Sequence, residues 1–95
     1  MELECTHNEN RKRYEVHADG VRVGLLTYWI QDDVVSISHT ETDEDYQGQG
    51  IAGVLTQFAL DDMRTKGYKV KPLCPYISNW ITAHPDYENL RYRRS

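Results

Sequence analysis

The first part of the chain alternates apolar and polar positions with a period of two. Leu3, Cys5 and His7 take turns with Glu4, Thr6 and Asn8, and after turn residues at Asn8-Glu9-Asn10-Arg11 the alternation resumes through Tyr14, Val16 and Ala18. That period sends successive side chains to opposite faces of a strand, so it predicts two strands of a half-buried sheet. Asp19-Gly20 closes a hairpin. Beyond it Val21, Val23 and Leu25 alternate with Arg22, Gly24 and Leu26, and residues 27–30 continue as a β-branched and aromatic run. Gln31-Asp32-Asp33 supplies the next turn. Val34–Thr42 then reads as a fourth strand, with Val35, Ile37, His39 and Glu41 on one face and Ser36, Ser38, Thr40 and Thr42 on the other.

At Gly50 the period lengthens. Ile51, Val54, Leu55, Phe58, Ala59 and Met63 recur at helical spacing with Thr56, Gln57, Asp61 and Arg64 outside, which predicts a helix over 51–66 that stops at Gly67. Residues 69–73 form a short fifth strand. Because it follows a strand and a packed helix, it is expected to lie parallel to strand four through a right-handed crossover. Pro75 opens a last helix whose Ile77, Trp80, Ile81 and His84 share a face, and Pro85 ends it. Residues 91–95 are expected to be frayed. The predicted class is α/β of the α+β kind. It has one mixed sheet, antiparallel through strand four and parallel between strands four and five, two main helices, and a single domain over 1–95.

Composition narrows the function classes. The 95 residues suffice for one small core, and 39% hydrophobic with 27% charged residues is the balance of a folded protein. A net charge of -4 has the wrong sign for a protein that works on phosphate backbones, so nucleic acid is not the expected partner. No run approaches the roughly 20 apolar residues of a membrane span, and the acidic start Met1-Glu2-Leu3-Glu4 lacks a leader pattern. A soluble cytoplasmic monomer is expected, with Cys5 and Cys74 as reduced thiols. His7, His17 and His84 show no ligand spacing, so no metal is expected. Trp29 and Trp80 read as core anchors, and Arg11-Lys12-Arg13 and Arg91-Tyr92-Arg93-Arg94 as solvated basic ends.

The most informative segment is Asp45-Tyr46-Gln47-Gly48-Gln49-Gly50-Ile51-Ala52-Gly53, between strand four and the long helix. Glycines there let a ligand approach the backbone, and the first amides of a helix point outward with the positive dipole end behind them. The segment reads either as an anion cradle or as a tight strand-to-helix turn. Gly48, Gly50 and Gly53 also spell a dinucleotide fingerprint. That match fails, because the stretch where a ribose-binding acid belongs, residues 69–73, carries none and the first half is antiparallel.

A better template is Q/R-x-x-G-x-G/A, filled by Gln47, Gly50 and Ala52. It resembles the pyrophosphate-binding motif of the GNAT acetyltransferase superfamily, and the order of elements is similar as well. His39-Thr40-Glu41-Thr42, Gly48-Gln49-Gly50-Ile51-Ala52 and Leu73-Cys74-Pro75-Tyr76 resemble the short, single-domain GNAT-like proteins of the Yjdj type. The resemblance implies a compact acyl-CoA N-acyltransferase fold, acetyl-CoA as co-substrate and an amine, on a small molecule or a protein, as acceptor. It also implies that the backbone of Glu41 and Thr42 holds the pantetheine arm and that residues 48–53, beside Gln47, hold the pyrophosphate; Tyr76, Ser78 and Asn79 are read either as neighbours of coenzyme A or as ordinary helix surface. The usual helices between the first strands are missing.

Three residues are candidates for the chemistry. Cys74 precedes the helix opened by Pro75, where dipole and free amides favour a thiolate; its plainer reading is a small buried hydrophobe. By resemblance it is a candidate acetyl acceptor. His39 is read either as a cleft residue or, facing Cys74 across parallel strands, as a base. Glu41, by analogy with the carboxylate that serves in the wider superfamily, is the alternative base. Direct attack by the amine and transfer through acetyl-Cys74 both remain open, and a non-catalytic CoA-binding module or acyl-CoA sensor is the rival from another class.

Overall fold

Five strands lie side by side in chain order, β1 (Leu3–Asn8), β2 (Arg13–Ala18), β3 (Val21–Gln31), β4 (Val34–Thr42) and β5 (Lys69–Pro72), in a computed structural model that describes residues 1–93. The pairs are antiparallel as far as β4. β4 and β5 are parallel from Val34↔Lys69 to Ile37↔Pro72. α1 (Ile51–Thr65) makes the crossover between them, and α2 (Pro75–Ala83) follows β5. Two 3-10 helices, Glu44–Tyr46 and Pro85–Leu90, were not legible in the periodicity. Arg94 and Ser95, part of the expected frayed end, lie outside the described residues.

Both helices pack on one face of the sheet. α1 lies across all five strands and α2 over β4 and β5, and the two meet where Gly53 approaches Trp80 and Tyr76. The core between them is built on Tyr14, Val16, Leu26, Ile37, Leu55, Met63 and Ile81. α1 ends in a Schellman turn: Gly67 takes φ 80°, and the Tyr68 amide donates to the Met63 carbonyl at 3.0 Å.

Two bulges set which side chains face that core. β3 steps from Val16↔Gly24 to His17↔Arg22, so Val23 is the extra residue, and Gly24, Leu26 and Tyr28 turn inward. β4 steps from Thr27↔His39 to Tyr28↔Ile37, which makes Ser38 the extra residue. The single alternation expected along strand four is thereby corrected. Past Ser38, Thr40 and Thr42 pair with Leu26 and Gly24 on the helix-covered face, while His39 and Glu41 pair with Thr27 and Leu25 on the other.

Further expectations change. On α1, Thr56 and Leu60 are buried while Val54 and Phe58 are 44% and 39% exposed. The buried arc is turned by part of a step because the Thr56 hydroxyl satisfies itself on the Ala52 carbonyl at 2.7 Å, which lets a polar residue face the core. Trp29 is 48% exposed on the sheet face that no described helix covers, so it is no core anchor; Trp80 is buried. His84 is exposed, its ring stacked on Trp80. Arg91 is anchored rather than frayed, with its guanidinium on Glu88, Ser78 and Thr82, and the Tyr92 amide donates to the Val70 carbonyl at 2.7 Å.

Two stability predictions follow from this packing. Leu55→Ala removes a fully buried side chain under the sheet and is expected to cost about 2 to 5 kcal/mol in urea unfolding; a negligible change contradicts the assigned helix face. At Gly24 an added Cβ would lie 2.9 Å from Val16 Cγ1 and 3.1 Å from the Glu41 carbonyl oxygen. Gly24→Ala is therefore expected to destabilise by about 1 to 3 kcal/mol, although alanine normally favours folded states over glycine. Wild-type stability in that variant would show that β2, β3 and β4 are less tightly spaced here.

Candidate active site

The site begins where β5 leaves β4. The ladder ends at Ile37↔Pro72, and the Cys74 amide then donates to the Ile37 carbonyl at 3.1 Å as the chain turns into α2. Residues 38–42 of β4 run on without a strand on that side, which opens a cleft between β4 and the start of the two helices. Its volume is about 330 Å³.

The glycine turn closes one end of this cleft. Asp43 caps the short turn Glu44–Tyr46 by accepting from the Asp45 amide, and the Gln47 side chain donates to the Thr42 carbonyl at 3.4 Å. Gly48 and Gly50 then take φ 80° and 75°, a left-handed conformation that costs glycine little. Gly50 is the N-cap of α1, which has no side-chain cap and no acidic residue in its first turn. Its first amides therefore have no acceptor within the helix and offer themselves to an anion. A Cβ built on Gly48 or Gly50 meets nothing within 4 Å, so the space before the turn is open. None of the described residues lining the cleft is Lys or Arg, and negative charge there would be met by backbone amides and the helix dipole.

Most of the expected cofactor residues lie together. Glu41, Thr42, Gln47, Gly48, Gly50, Ile51, Ala52, Gly53 and Tyr76 all line the cleft. Gln49 is exposed and does not. Ser78 and Asn79 are outside it as well: Asn79 is exposed, and the Ser78 hydroxyl accepts from Arg91 at 3.1 Å, which turns that part of α2 toward the C-terminal residues.

Cys74 is the N-cap of α2 and is 9% exposed. Burial alone would push its thiol up. Hydrogen bonds from the Thr40 hydroxyl and from the backbone of Ile77, Tyr76 and Thr40 outweigh that and hold it below the ordinary thiol value. Cys5, partly buried at the sheet edge without such partners, is pushed up. The neighbour of the thiol is Thr40, with Oγ1 3.5 Å from Sγ, and Thr40 itself lines the cleft. His39 does not face Cys74, because the Ser38 bulge sends it to the opposite face. There its Nε2 lies 3.1 Å from Glu41 Oε2, with both side chains exposed. Glu41 lines the cleft and also a second groove with Arg22 and Asp43.

Two lining residues, Thr40 and Tyr46, were not singled out as site residues. Thr40 was hidden because strict alternation assigns it to the wrong face, and nothing in Ile37-Ser38-His39 marks a bulge. Tyr46 stands beside the glycine motif, and that position was the only signal it offered. Among the described residues no group of three His, Cys, Asp or Glu side chains could hold a metal ion.

Comparison with known proteins agrees with this geometry. The profile of a family described as GCN5-related N-acetyl-transferase matches residues 13–90. Protein NATD1 of Mus musculus is 31% identical over 85 residues, which cover 87% of this chain and 77% of that protein; the Homo sapiens protein is also 31% identical, with 75% of its length covered. Among solved structures, a GCN5-like protein from Staphylococcus aureus superposes with a TM-score of 0.72 at 16% identity, over 97% of this chain and 90% of that one. The ribosomal-protein-S18-alanine N-acetyltransferase of Escherichia coli gives 0.64 at 14% identity over 75% of this chain, which spans about half (49%) of that enzyme's length. PaiA N-acetyltransferase of Thermoplasma acidophilum, solved in complex with coenzyme A, gives 0.56 at 20% identity over 59% of this chain and 35% of that one. A match that runs from β2 to the last 3-10 turn, on a sheet that parts at the same place as the glycine turn opens, means that the chain belongs to the GCN5-related N-acetyltransferase family.

Proposed function

We propose that the protein is an acetyl-CoA-dependent N-acetyltransferase of the short Yjdj type, which passes an acetyl group to an amine on a small molecule or a protein. The observation that carries the reading is the continuity of the cleft: a cradle of helix amides at Gly50 opens directly onto the partnerless edge of β4. In this reading the amides of residues 48–53 hold the pyrophosphate and the backbone of Glu41 and Thr42 pairs with the pantetheine arm. Tyr76 borders it from α2. The thioester carbonyl then lies against β4, where fixed amides stabilise the charge that develops on its oxygen. A reducing, cytoplasmic setting and a monomeric chain go with this reading, and both cysteines are free.

Two routes lead to the amide. Through Cys74, the thiolate attacks the acetyl carbon and coenzyme A leaves as a thiolate; the amine then attacks the acetyl thioester, and Cys74 is released as the nitrogen loses its proton to a base. The lowered thiol of Cys74 supports this route. In the direct route the amine attacks acetyl-CoA itself while Glu41 or His39 takes the proton. The 3.1 Å His39–Glu41 pair, exposed on the open face, supports that one.

Cofactor binding is tested at Gly50 by two substitutions of equal size that both tolerate a left-handed backbone. Gly50→Asp adds a negative charge before the helix amides and Gly50→Asn does not, so by calorimetry the aspartate variant is expected to bind CoA at least about tenfold more weakly than the asparagine variant. Equal affinities in folded variants remove the cradle assignment.

The routes separate by intact mass after incubation with acetyl-CoA. Cys74→Ser is expected to abolish the acetyl adduct with little loss of CoA affinity, whereas His39→Ala is expected to leave the adduct and slow its discharge to amines. Full-rate transfer by Cys74→Ser makes direct attack the mechanism. CoA binding without adduct or transfer in the wild-type protein favours the sensor instead.

A further inference from the structure

We propose that Thr40 is the positioning residue of the Cys74 nucleophile: its hydroxyl, 3.5 Å from Sγ, donates to the thiolate and aims the sulfur at the cleft. The inference rests on the reading of Cys74 as acetyl acceptor and goes beyond it, since neither the motif nor the helix terminus alone points to Thr40.

Three features place it there. The Ser38 bulge reverses the alternation of β4, so Thr40 and not His39 turns to the helix-covered face. Pairing with Leu26, which is fully buried, fixes the Thr40 backbone, and the bond from the Cys74 amide to the Ile37 carbonyl fixes the start of α2 against the same strand. Thr40 also lines the cleft, and Cys74 is not among the lining residues. The Thr40 hydroxyl is thus a polar group that touches the sulfur and belongs to the wall of the space where a thioester would sit.

A serine or threonine hydroxyl both donates and accepts, so it can serve either protonation state of the sulfur. Only the thiolate gains a charge-assisted bond from it, and that difference favours the nucleophilic form. In the loading step the thiolate forms the new bond to the acetyl carbon as the bond to the CoA sulfur breaks; CoA leaves as a thiolate and takes a proton from water. Thr40 exchanges no proton in this step. It holds the sulfur before attack and loses its charged partner once the thioester has formed.

The test uses the full chain, with Cys5 as internal control, and follows the Cβ chemical shifts of both cysteines by NMR across pH. Thr40→Val keeps shape and removes the hydroxyl, and it is expected to raise the midpoint of Cys74 by about one pH unit and leave that of Cys5 in place. Thr40→Ser is expected to restore the wild-type midpoint, and Thr40→Ala to follow valine if valine packs poorly. With acetyl-CoA, loading of Cys74 in Thr40→Val is expected to be up to about tenfold slower near neutral pH and to converge on wild type above both midpoints. A role confined to packing would not produce that convergence. Identical Cys74 midpoints in wild type and Thr40→Val, or a serine variant that behaves like valine, overturn the proposal. If the midpoint moves as expected but wild type never acquires an acetyl group, the acetyl-enzyme reading falls while the hold of Thr40 on the thiol stands.

Discussion

The bond from the Cys74 amide to the Ile37 carbonyl is the constraint on which the functional geometry depends. It is made just past the end of the parallel ladder, beyond which residues 38–42 of β4 have no strand beside them among the described residues. It also fixes where α2 begins, so the start of α2 stands beside the start of α1 instead of at the far end of the sheet. A sheet whose last two strands stayed paired to their ends would carry the same glycine turn with no groove leading from it. The catalytic candidates are placed by the same departure, because the thiol and the free strand edge come from the two residues that make the bond and their neighbours.

Much of this arrangement was legible in the sequence. Strands one and two, the bounds of strand four and the crossover helix follow from period and turn residues, which are local signals. The parallel pairing followed from chain order and handedness. What escaped was the parity of side chains within a strand. A bulge is a disagreement between two strands, and at Ser38 neither glycine nor proline announces it, so His39 was assigned the position that Thr40 holds. The turned face of α1 escaped for a related reason: Thr56 is polar by composition but satisfied within its own helix. Trp29 read as a core residue because the sequence does not say that one sheet face lacks a helix.

The cleft handles charge in a particular way. The whole chain carries a net charge of -4, and none of the described residues lining the site is Lys or Arg, so under the proposed reading attraction for a polyanion would come from oriented amides rather than from mobile cations. Such donors act over short distances and reward only an anion that reaches the turn. Under that reading selectivity would rest on shape, through Gly48 and Gly50 and the adjacent strand edge, more than on long-range attraction.

The anchoring of Arg91 and Tyr92 on Val70 has a consequence at the scale of many molecules. The outer side of β5 is occupied at Val70, so among the described residues bare strand edge remains along β1 and along residues 38–42 of β4, the latter facing the cleft. Sheets grow by adding strands at bare edges, and open-ended growth needs two of them. Copies of this chain that met edge to edge would pair β1 with β1 and stop, a closed couple with an isologous contact. Arg91 and Tyr92 thus cover a part of β5 to which a further strand could otherwise add.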